Sequence, residues 1–86
     1  MFSLSKIDRH AELMNRMADT VGADFSRAIV SGAMSGEQYR QAILSCTNCS
    51  HPEECASWLE ANPGGAEQTP EYCRNAGLFD RLARND

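Results

Sequence analysis

Four cysteines are the residues of this chain best suited to chemistry, and they fall as Cys46, Cys49, Cys55 and Cys73, a C-x2-C-x5-C-x17-C pattern. A C-x2-C step lets two sulfurs meet one ion or cluster. Four thiolates satisfy either a tetrahedral zinc ion or the four irons of a cubane [4Fe-4S] cluster. Zinc ribbons and fingers pair two close steps on short hairpins, whereas only one close step exists here and its surroundings read as helical, which favours the cluster over zinc. In an exported protein the same cysteines would instead form two disulfides, with three possible pairings. A thioredoxin-type pair at Cys46 and Cys49 needs its nucleophile at a helix N-terminus, but Cys46 falls at a helix C-terminus, where the dipole disfavours a thiolate. The run CTNCSH is one residue too long for the C-x-x-C-H haem attachment site.

The other candidate groups read more simply. His51 is near enough to replace one cysteine as a zinc ligand, and its place in a first helical turn also suits a solvent-facing histidine. His10, between Arg9 and Glu12, reads as a surface residue. Glu53, Glu54 and Glu71 read as solvated charges favoured at helix N-termini. Arg74, Arg81 and Arg84 with Asp80 and Asp86 read as the mixed-charge face of a last helix. Trp58 reads as a core anchor that would also shield a cluster from water. With no nucleophile-base pair and no phosphate-binding glycine loop, the chain does not read as an enzyme.

Helical periodicity must position the cysteines, because no segment alternates apolar and polar residues long enough for a strand. Ile7, Ala11, Met14, Met17, Ala18 and Val21 predict a first helix over 5–20, closed by Gly22, with its methionines as core filler. A second, over 23–31, places Val21, Phe25, Ala28 and Ile29 on one face. Ser35-Gly36-Glu37-Gln38 is a capping box that opens a third helix through 44, with Tyr39, Ala42, Ile43 and Cys46 on one stripe. Ser50-His51-Pro52-Glu53 reads as a second box, opening a helix to 61 whose Cys55, Trp58 and Leu59 share a face. Asn62-Pro63-Gly64-Gly65 is a loop. Thr69 then caps a last helix over 70–83, with Pro70 first and Cys73, Ala76, Phe79 and Leu82 along one side. Cys46, Cys55 and Cys73 thus converge from three helices, and the N-termini capped at Ser50 and Thr69 aim partial positive charge at them.

The segment from Cys46 to Cys55 resembles the last three cysteines of the iron-sulfur loop in the endonuclease-III and adenine-glycosylase family, C-x6-C-x2-C-x5-C. That resemblance implies a [4Fe-4S] cluster held within helices. The loop's first cysteine has no counterpart, and Cys73 would take its place. The whole chain resembles a family of unknown function among short alphaproteobacterial proteins, through Cys46, Cys49, Cys55, Trp58 and Leu59, then Pro70, Glu71, Tyr72, Cys73, Asn75 and Ala76. This second resemblance implies a helical fold and the four-cysteine set.

Length and composition bound the rest. The 86 residues are 42% hydrophobic and 23% charged, with aromatics at Phe2, Phe25, Tyr39, Trp58, Tyr72 and Phe79. A domain this small buries only about 60–65% of its unfolded surface and benefits from a staple. A net charge of -4 and a pI near 5.0 argue against a phosphate-backbone binder. Neither a secretory leader nor a membrane span is read, so a cytoplasmic protein is expected. The expectation is one all-α domain over 1–86, a bundle of four to five short helices with N-terminal helices over 5–44 and a cysteine-bearing half over 45–86. It would hold a [4Fe-4S] cluster, or alternatively zinc, on Cys46, Cys49, Cys55 and Cys73, and would serve a protein partner rather than nucleic acid or membrane.

Overall fold

Gly22 ends the first helix as its sequence suggests, and the way it does so organises the chain around it. In the computed structural model, which describes residues 4–84, α1 (Leu4–Val21) runs one residue beyond the expected range at each end. Gly22 takes φ 79°, the left-handed conformation that costs glycine no Cβ clash. The Ala23 N–H then folds back onto the Ala18 carbonyl at 2.9 Å, the long return bond of a Schellman cap. The Thr20 carbonyl is taken from outside the helix, by the Ala66 N–H at 2.8 Å. Neighbouring Gly65 stands so close that an added Cβ would meet that oxygen at 3.2 Å.

Helix α2 (Phe25–Ser31) is shorter than expected, because the Asp24 carboxylate caps it by accepting from the Arg27 N–H at 2.9 Å. Its Phe25 and Ala28 are buried, but Ile29 turns outward to 40% exposure and leaves the predicted face. Helix α3 (Gly36–Thr47) opens on the predicted capping box: Gln38 N–H donates to Ser35 Oγ at 3.0 Å, and Ser35 N–H donates to Gln38 Oε1 at 2.8 Å. It continues past residue 44, so Cys46 lies in its last turn.

The next two helix starts differ from the sequence reading. Helix α4 (Pro52–Ala61) is preceded by His51, not Ser50, at the cap position, and no side chain caps it. Pro52 accounts for the shift, since the first helical position is where its missing N–H costs nothing. Helix α5 begins at Ala76 rather than Pro70 and runs to Arg84. Residues 70–75 form turns instead, held by Cys73 N–H to the Pro70 carbonyl at 3.1 Å and Ala76 N–H to the Cys73 carbonyl at 3.2 Å. A long-range bond fixes this departure: Asn75 Nδ2 donates to the Ala42 carbonyl in α3 at 2.9 Å.

The described residues are thus all-helical, with five helices and no strand. Helix α1 packs against α3, α4 and α5. Its Leu13, Met14 and Met17 meet Phe25, Met34, Ala42, Leu59, Phe79 and Leu82 in one buried cluster, with the methionines acting as core filler. Phe25 links two sides of it, its ring 5.2 Å from Tyr39 and 5.7 Å from Phe79. No helix among the described residues is long and apolar enough to cross a membrane. Asp86, expected on the last helix's charged face, lies outside the described residues.

Candidate metal centre

Helix α3 delivers Cys46 in its last turn, and the following turn delivers Cys49, whose N–H donates to the Cys46 carbonyl at 2.9 Å. Cys55 stands near the start of α4, with its N–H on the His51 carbonyl at 2.9 Å. Cys73 comes from the turn before α5. All four are half-buried free thiols, and all four line one cavity of about 30 Å³, whose walls include His10, Met14, Met17 and Phe79. Cys73 differs from the sequence expectation in that it arrives on a turn and not on a helix. The two N-termini expected to face the cysteines are also redrawn, because neither Ser50 nor Thr69 caps a helix. Among the described residues, no three His, Cys, Asp or Glu side chains are gathered as a ready chelate for one metal ion.

Apolar surroundings and mutual proximity govern the thiols. Burial, followed by the neighbouring Cys55, Cys49 and Cys73, pushes the Cys46 thiol from 9.0 up to about 12. Cys55 is raised to about 11, again by burial first and then by Cys73 and Cys49, with Arg16 acting in the opposite direction. Cys73 is also raised, chiefly by burial, although bonds from the Asn75 backbone and the Thr69 side chain partly offset this. A positive centre placed among Cys46, Cys55 and Cys73 would reverse the effect by stabilising their thiolates.

The surrounding groups orient the sulfurs. The His51 N–H donates to Cys49 Sγ at 3.4 Å. The His51 ring pairs with Glu54 through Nδ1 and Oε1 at 2.8 Å and lies 4.8 Å from the Tyr72 ring, so it joins two cysteine-bearing segments while staying partly exposed. Glu53 and Glu54 are exposed in the first turn of α4, as expected. Trp58 is half-buried against the core instead of lining the cavity.

His10 overturns the sequence reading, for it is 3% exposed and not a surface residue. Its Nδ1 lies 3.8 Å from Cys46 Sγ, and its carbonyl lies 3.4 Å from the same sulfur. Burial, helped by Lys6, lowers its pKa below 6.5. A signal was present, because His10 precedes Met14 by four residues and Met17 by seven, the helical spacing of the buried stripe.

The same residues lie within a stretch matched by a single family model, which spans residues 1–85. The chain belongs to DUF6455, a family of unknown function. No curated protein and no solved structure matches it.

Proposed function

We propose that this DUF6455 chain is a small metal-binding protein that holds a [4Fe-4S] cluster on Cys46, Cys49, Cys55 and Cys73 and acts as a redox or oxygen-responsive module for a protein partner. The observation that carries this reading is four free thiols, drawn from three parts of the chain, around one cavity. A single zinc ion draws its four sulfurs to within about 3.8 Å of one another, given Zn–S bonds of about 2.3 Å. A cubane takes one thiolate on each of four irons and so spaces them more widely. With only one close cysteine step in a helical setting, the C-x2-C-x5-C spacing favours the cluster. When bound, such a cluster supplies one-electron chemistry or sensitivity to oxygen. The chain's part is to present four thiolates, to exclude water with Met14, Met17 and Phe79, and to donate N–H groups to sulfur.

One observation favours a second reading, a structural zinc site in a protein-interaction domain. A cavity of about 30 Å³ is closer to the room an ion or one or two waters require than to a cluster. Purification without oxygen, with a visible spectrum and iron, sulfide and zinc content, separates the two. A brown protein absorbing near roughly 400 nm with about four irons per chain is expected. A colourless protein with one zinc would replace the cluster with the ion, and a mass lower by about four hydrogens without reductant would point to two disulfides.

A further inference from the structure

Of the four sulfurs, Cys46 Sγ is the one that meets a buried imidazole. We propose that His10 is a positioning residue whose Nδ1–H donates a hydrogen bond to the Cys46 thiolate and raises the reduction potential of the bound cluster. The proposal rests on the cluster reading above. His10 sits on α1, 36 positions from Cys46 in sequence, with Nδ1 at 3.8 Å from Sγ and its carbonyl at 3.4 Å. As a free thiol, Cys46 donates its S–H to that carbonyl, and the sulfur lone pairs accept from the ring. Once the thiol gives up its proton to bind iron, it can only accept, and the ring N–H becomes the charge-assisted donor facing it.

An N–H···S bond withdraws negative charge from the sulfur, so it stabilises the reduced, more negative cluster more than the oxidised one. Cys49 receives a comparable bond from the His51 backbone, which no side-chain substitution removes. His10 is different: its donor is a side chain, so substitution can vary it. Burying an imidazole against a thiol is also costly unless the ring nitrogen is partnered, and the contact with Cys46 provides that partner.

The test is redox titration of anaerobically purified wild-type, His10→Leu and His10→Asn proteins, each assayed for iron and sulfide. His10→Leu is expected to keep its cluster while the ratio of reduced to oxidised protein, at a fixed solution potential, falls at least tenfold, about 59 mV for one electron. His10→Asn, whose Nδ2–H can stand where the ring N–H stood, should recover to within about threefold, about 30 mV on the same scale. An unchanged potential in a fully loaded His10→Leu overturns the proposal. A second measurement depends neither on the variants nor on the cluster: nitrogen-15 NMR of the His10 ring in the wild-type chain as purified. An Nδ1–H tautomer is expected, and an Nε2–H tautomer overturns the donor role. A wild-type protein without iron would remove the cluster reading, and the potential with it, while the tautomer still decides whether His10 donates to Cys46.

Discussion

The packing of α1 to α3 and the connections that carry the cysteines are built on different physics. In the first region apolar side chains interlock, the Asp24 and Ser35 caps form with side-chain bonds, and glycine ends two helices in the left-handed conformation. In the second, α4 starts without a side-chain cap, residues 70–75 are turns, and four half-buried thiols face one cavity. The first region is closed by contacts already made. The second gathers four thiols that the proposed cluster would join, and that contrast can be tested by perturbing each side separately.

The largest effect is expected in the packed cluster. Phe79, 1% exposed, links α5 to Phe25, and Phe79→Ala should cost about 3–5 kcal/mol in denaturant unfolding of the metal-free chain. A loss below about 1 kcal/mol would show that the core does not close around α5. Metal removal should act on the other side: chelation is expected to lower hydrogen-exchange protection across residues 48–75 at least tenfold, about 1.4 kcal/mol, while amides near Met14 and Met17 stay protected. Uniform loss across both regions would erase the contrast.

A pH scan of the metal-free protein comes next. Its native Cys46 and Cys55 thiols hold their protons to higher pH than unfolded ones, so between about 9 and 12 the folded state binds more protons and stability falls as pH rises. Thermal melting should therefore drop over that window, and substituting Cys46, the most raised thiol, with Ser should flatten the drop. The smallest effects separate the two helix starts. Ser35→Ala should cost about 1 kcal/mol, whereas Ser50→Ala should fall within about 0.5 kcal/mol, because only the first serine caps a helix.

That last pair also shows what can be read from sequence. The Ser35 box, the glycine ends at Gly22 and Gly32, and the apolar stripe of α1 are set by neighbours within a few residues, so local pattern finds them. The cysteines could be brought together on paper for the same reason, three of them lying within ten positions. Ser50 carries an equally good box motif, but Pro52 favours the first helical position and moves the cap to His51. The late start of α5 depends on Asn75 reaching Ala42, and the burial of His10 depends on α3 lying over it. Both are decided by partners more than 30 positions away, beyond the reach of capping rules. Ile29 errs in the opposite direction: its spacing matches the buried face, yet α2 rotates it outward.

The placement of Cys73 in the turn before α5 also has a meaning in time. A ribosome delivers the chain from its N-terminus, and Cys73 follows Cys55 by 18 positions. At about 5–20 residues per second, the nascent protein spends about one to four seconds with three of its four thiols made and the fourth not yet translated. Phe79, which walls the cavity, emerges later still. The vessel is thus assembled with its last side open, and it closes only after Cys73 and Phe79 have been made.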